Sequence, residues 1–119
     1  MRPLRYFRLS EFDCKETGEN AMKESFLYRI DELRHKCGFP FVILSGYRSP
    51  RHSLESRKKE PGAHARGVAV DILCRGPHMR KLVIEAHKMG FTGIGVNNGS
   101  VHIDDDVRLY NTMWGYGES

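Results

Sequence analysis

Ala65-Arg66-Gly67-Val68-Ala69-Val70-Asp71-Ile72-Leu73 is a β-rich apolar run with one carboxylate set inside it. A run of this length and composition reads as a buried strand. His64 stands at its entry, and 31 residues after Asp71 comes His102, within Val101-His102-Ile103-Asp104, which reads as a partner strand. A carboxylate inside an apolar strand is costly unless it is paired or bound to a metal. The structural alternative for Asp71 is a buried ion pair with an arginine.

Two imidazoles and a carboxylate from three separated positions form a three-ligand set. Such a set suits zinc and leaves a fourth position for water or substrate, as in hydrolytic rather than structural metal centres. His64 and Asp71 are seven residues apart, so strict alternation does not put them on one face. His64 must come from the loop side, or the strand must bend at Gly67. Asp104 lies two residues beyond His102 and shares its face. It is the candidate general base for water at the metal.

The remaining elements are arranged around these two strands. Leu9-Ser10-Glu11-Phe12 reads as a short ordered entry. Met22, Phe26, Ile30 and Leu33 recur at helical spacing and predict a helix over Ala21–Lys36, stopped by Gly38. Phe41-Val42-Ile43-Leu44, between Pro40 and Gly46, predicts a strand. Ser45 to Gly62 is a long polar loop, and loops of that length in small domains are usually functional. Pro77–Met89 reads as a helix ended by Gly90, with Leu82, Val83 and Ala86 on one side. Ile94-Gly95-Val96 is a third strand, and Asn97-Asn98-Gly99-Ser100 is a hairpin turn leading into Val101–Asp104. The tail Arg108–Tyr116 carries Trp114, Tyr110 and Tyr116 and is expected to pack back as a cover. The expected architecture is one α+β domain over residues 1–119, a small antiparallel sheet flanked by helices.

Ser45-Gly46-Tyr47-Arg48-Ser49-Pro50 directly follows the first strand. The fork of Arg48 suits planar oxygens, so it could bind a substrate carboxylate or polarise a carbonyl. Ser45, Arg48 and His52 are the candidate substrate-binding residues. Taken singly, Arg48 reads as a surface arginine on a turn and His52 as a loop histidine. His35, His78 and His87 lie on helix patterns and read as surface or hydrogen-bonded histidines.

With 119 residues and 39% hydrophobic content the chain can bury a core, which excludes disorder. The net charge of +4 suits a polyanionic partner, but charges of both signs are interspersed, as on a merely soluble surface. Cys14, Cys37 and Cys74 are an odd set without CxxC spacing, which argues against a zinc ribbon and for buried thiols. The basic N-terminus is not followed by an apolar stretch, so neither a signal peptide nor a membrane span is expected. Synthesis in the cytoplasm is the corresponding expectation, with export by another route if the target lies outside.

The motifs together resemble the M15 family of zinc peptidases acting on peptidoglycan, the D-alanyl-D-alanine carboxypeptidase or hedgehog-like superfamily. The similarity is greatest to its small phage-type and cell-wall endopeptidase branch. The resemblance runs from Leu9-Ser10-Glu11-Phe12-Asp13-Cys14 to Trp114-Gly115-Tyr116. Between these come Leu44-Ser45-Gly46-Tyr47-Arg48-Ser49-Pro50, His64 to Ile72, Gly90-Phe91-Thr92-Gly93-Ile94-Gly95 and His102-Ile103-Asp104. It implies a hedgehog/DD-peptidase-like fold, Zn2+ as cofactor, and His64, Asp71 and His102 as its ligands. It also implies that Arg48 contacts substrate near the scissile carbonyl, and that the substrate is a stem or cross-bridge peptide cut beside a D-residue. Many family members carry a catalytic acid three residues before the last histidine. Here that position is Gly99, which leaves Asp104 as the carboxylate on offer. Ser53 to Pro61 is richer in charge than the corresponding loop of relatives.

A zinc-dependent peptidoglycan peptidase, acting as a monomer on the cell wall, is therefore the leading expectation. The rival is a zinc-containing module that binds wall peptides or a protein without cutting, which Gly99 favours and Asp104 and Arg48 oppose. A nucleic-acid binder ranks last, because no compact basic stripe with interleaved aromatics is present. No membrane partner is expected.

Overall fold

The computed structural model describes residues 1–53, 62–108 and 110–115. The centre of the long polar loop, 54–61, and Tyr116 lie outside the described residues. A short 3-10 turn, Leu9–Phe12, is followed by helix α1 (Glu24–Cys37), strands β1 (Val42–Ser45) and β2 (Ala69–Leu73), and helix α2 (Gly76–Met89). Strands β3 (Gly93–Asn97), β4 (Ser100–Asp104) and β5 (Thr112–Gly115) complete the α+β fold. The sheet order is β1-β2-β4-β3-β5.

The first four strands pair antiparallel, as expected. β5 does not: it adds to β3 in parallel, so the sheet is mixed. Thr112–Gly115 of the tail thus forms an edge strand, a pairing that the expected packing-back as a cover did not include. Two other boundaries move. Helix α1 begins at Glu24 instead of Ala21, because the chain just before it is committed elsewhere. The Met22 N–H donates to the Asn20 side chain and the Lys23 N–H to the Gly67 carbonyl. Strand β2 begins at Ala69 instead of Ala65. Residues 63–67 form a turn in which the Gly67 N–H donates to His64 O and the Val68 N–H to Ala63 O. Gly67 has φ of +77°, the left-handed conformation that glycine adopts without steric cost.

One face of the sheet holds Ile43, Val70, Ile72, Ile94, Val101 and Ile103, all buried. They pack with Phe26, Leu27, Ile30 and Leu33 of α1 and Leu82 and Ala86 of α2 in a single cluster. Alternation therefore sends Asp71 and His102 to the opposite face, away from the helices. Register aligns five residues there in one row across all five strands: Ser45, Asp71, His102, Gly95 and Trp114. The next row along holds Ala69, Asp104, Gly93 and Thr112. Among the described residues no helix is long and apolar enough to cross a membrane. Cys14, Cys37 and Cys74 are free buried thiols, as their spacing suggested.

Candidate metal centre

The row Ser45-Asp71-His102 brings two of the three candidate ligands side by side, and the turn before β2 delivers the third. His64 is carried on that turn and is 7% exposed. The turn is pinned on several sides. The Arg48 N–H donates to the His64 carbonyl at 3.2 Å, and Arg66 forms an ion pair with Asp106 just past β4. Asp71 lies between the imidazoles: Oδ2 is 3.3 Å from His64 Nε2 and Oδ1 is 2.9 Å from His102 Nδ1. One donor atom from each of His64, Asp71 and His102 lies within 4.8 Å of the other two. The partners of Asp71 are thus imidazoles, in place of the arginine that a structural ion pair would need.

The outward nitrogen of each imidazole is also held. His64 Nδ1 is 2.8 Å from the Gly46 carbonyl, which can only accept, so Nδ1 carries the proton and Nε2 faces Asp71. His102 Nε2 is 2.6 Å from Asp104 Oδ2. Carbonyl and carboxylate acceptors behind ligand histidines are the usual means of fixing ring tautomer and orientation in metal sites. This donor set, N/O/N with both rear nitrogens anchored, fits zinc.

The charges follow from these contacts. Burial pushes the Asp71 carboxyl up, but hydrogen bonds from His102 and His64 outweigh it and hold the group far below the ordinary carboxylate range. Burial disfavours charge on His102, yet its bonds to Asp104 and Asp71 win and raise it to about 9. Without a metal, both His102 nitrogens therefore donate, one to each carboxylate. Asp104, opposed by its burial, is nevertheless lowered by His102, the Asp106 N–H and Arg108.

Asp104 is 1% exposed and fully engaged. Besides His102 it accepts from the Asp106 N–H at 3.0 Å, from Thr92 Oγ1 at 3.3 Å and from Arg108 Nη2 at 3.3 Å. It shares a face with His102, as the two-residue spacing predicts, and it meets the ring on the side away from Asp71. The carboxylates that follow it each take a different cation: Asp105 pairs with Arg29 of α1 and Asp106 with Arg66.

Ser45 is the register partner of Asp71 across a bulge, and Arg48 Nη2 donates to Ser45 Oγ at 3.4 Å. The end of β1 thus runs beside the trio. His52 Nε2 meets Glu16 at 3.1 Å, so that contact points to the loop before α1 and not to the trio. His35 bonds Tyr6 OH, His78 stacks on Phe39 at 4.0 Å and His87 is exposed. Gly99 has φ of +104° at the β3–β4 turn, so the hairpin itself calls for glycine at the position where the resemblance led one to look for an acid.

Sequence reading missed Arg108 and Thr92 as partners of Asp104, and the Gly46 carbonyl behind His64. The signal was present for one of them. Gly93 and Gly95 alternate on β3, so both point to the site face, and paired strand glycines mark close approach.

Fold and site together define a small α+β domain with a His/Asp/His candidate metal centre on the open face of its sheet. The chain belongs to the peptidase M15 family, whose model matches residues 5–104. A search of curated proteins finds no match.

Proposed function

We propose that the protein is a zinc-dependent peptidase that hydrolyses peptide bonds of peptidoglycan stem or cross-bridge peptides, beside a D-amino acid. The observation that carries this is the convergence of His64 Nε2, Asp71 and His102 Nδ1, with the rear nitrogen of each histidine tied to an acceptor. Membership of the peptidase M15 family supports the reaction class. When bound, zinc supplies Lewis acidity toward a peptide carbonyl and a water molecule.

The chain's own residues do the rest. His64, Asp71 and His102 hold the ion, and Gly46 O and Asp104 keep the two rings turned toward it. Arg48, which bonds Ser45 at the end of β1, grips a substrate oxygen with its planar fork in this reading. The bonds of Asp104 suit a positioning residue better than a base, because its carboxylate is already shared among four donors. The protein acts as a monomer on the cell wall, without nucleic acid or membrane partners, after synthesis in the cytoplasm.

The engagement of Asp104 also favours a second reading, a zinc-containing module that binds wall peptides or a protein partner without cutting. Digestion of purified peptidoglycan, with new termini identified by mass spectrometry, separates the two. New amino or carboxyl termini support the peptidase. Retention on the wall with zinc bound and no new termini supports the module.

A further inference from the structure

The family match ends at Asp104, yet two side chains beyond it reach back onto the candidate centre. Arg108 Nη2 bonds Asp104 at 3.3 Å, and its Nη1 donates to Thr92 O at 3.1 Å. The same guanidinium lies over the Trp114 ring at 5.6 Å. Trp114 in turn lies 5.4 Å from the His102 ring, tilted by 45°. His102 closes the cycle through its 2.6 Å contact with Asp104. Four side chains therefore form a closed loop, His102-Asp104-Arg108-Trp114.

The room for this loop comes from β3. A Cβ on Gly95 would fall 2.6 Å from Trp114 Nε1, and a Cβ on Gly93 would fall 2.5 Å from Asp104 Oδ2. Neither glycine has a positive φ, so their backbone conformation does not require glycine. What requires it is the space that Trp114, Asp104 and Arg108 occupy. The parallel pairing of β5 sets Trp114 opposite Gly95, in the same row as His102.

We propose that Trp114 and Arg108, delivered by the C-terminal strand, are positioning residues that clasp the His102–Asp104 pair and fix the ring of His102 with Nδ1 toward the metal position. This rests on the zinc reading above. Trp114 bounds the His102 ring on the β5 side and limits its rotation. Arg108 holds the carboxylate that the ring's far nitrogen needs. A histidine left free to turn presents its nitrogen to the ion only part of the time, and zinc affinity falls accordingly.

The test uses Trp114→Ala, Gly95→Ala, Trp114→Phe and the double variant, with folding checked by circular dichroism. Zinc affinity is measured by chelator competition. Separately, in metal-free protein, the His102 Nε2 proton donated to Asp104 is followed by NMR. Trp114→Ala and Gly95→Ala should each weaken zinc binding by about tenfold, the lower end of the effect of removing a ligand's support. Trp114→Phe should restore most of it. Gly95→Ala acts only by displacing the indole, so adding it to Trp114→Ala should change affinity by less than about twofold. The Nε2 proton should be sharp in the wild type and exchange-broadened in both alanine variants.

If folded Trp114→Ala and Gly95→Ala bind zinc as the wild type does and keep a sharp Nε2 proton, the clasp is refuted while the zinc reading stands. Full additivity in the double variant also refutes it. If the wild type takes up no zinc but the Nε2 proton broadens as expected, the clasp stands and the zinc reading falls.

Discussion

Replacing Asp104 by asparagine preserves shape and burial while removing the charge, and it separates two roles for this carboxylate beside the trio. Asp104 Oδ2 accepts from His102 Nε2 at 2.6 Å, and the group is 1% exposed. An amide oxygen in that place still accepts, but without the charge that strengthens the bond and raises the basicity of the ligand nitrogen. Loss of such a support costs about ten- to a hundredfold in metal affinity. That is roughly 1.4 to 2.8 kcal/mol, at 1.4 kcal/mol for each factor of ten. Loss of a general base instead costs about two to four powers of ten in turnover with the ion still bound. The assay is therefore run twice on Asp104→Asn, once for zinc affinity by chelator competition and once for peptide cleavage at saturating zinc. The geometry predicts weakened affinity and activity that recovers when zinc saturates. Wild-type zinc affinity together with turnover that stays down at saturation would refute the positioning role and return Asp104 to the chemistry.

His102→Ala should lose most of its zinc while keeping its fold, read by metal analysis and circular dichroism; full occupancy would sink the ligand assignment. Arg48→Lys should lower turnover on a wall peptide with zinc retained, because a lysine offers no planar fork; unchanged activity would make Arg48 a surface residue. If zinc binds His102 as proposed, it displaces a proton from a group raised to about 9, so apparent affinity should rise about tenfold per pH unit up to that value and then level off. A flat profile between pH 6 and about 8 would contradict that protonation. In metal-free protein the sign reverses for stability. The contribution of His102, raised from 6.5, is complete below that value and is lost as pH rises through about 9. The contribution of Asp71, lowered from 3.8, is present above that value and is lost only on strong acidification. Urea midpoints should therefore drop between pH 6.5 and about 9.5 in the wild type and drop less in His102→Ala.

The trio was legible in sequence because its exceptional residues break a simple rule. Asp71 interrupts an apolar strand, and His102 and Asp104 share the two-residue period of the partner strand. The four antiparallel strands and both helices followed from periodicity and from Gly38, Gly90 and Asn98-Gly99. What escaped depends on contacts between distant segments. The start of α1 moved because Lys23 bonds Gly67, more than forty positions away, which no local pattern records. The parallel strand β5 escaped because Thr112-Met113-Trp114-Gly115 is short and only half apolar. Its identity comes from the β3 edge it joins. The role of Arg108 escaped because a surface arginine and an arginine stacked over an indole read alike in one dimension.

The geometry also bears on how the centre is assembled. Asp71 and Asp104 each bond one nitrogen of His102, so in the metal-free chain the imidazolium is held between two carboxylates. That arrangement stabilises the buried Asp104 and the part-buried Asp71 and keeps the ring in the plane in which Nδ1 faces Asp71 and His64. On the zinc reading, His64, Asp71 and His102 would hold the ion while His102 keeps its bond to Asp104 and His64 its bond to the Gly46 carbonyl. The sheet register and the two rear acceptors therefore set the orientation of the candidate ligands in the metal-free chain. On that reading, affinity would depend on what stands behind the histidines as well as on the three ligands themselves.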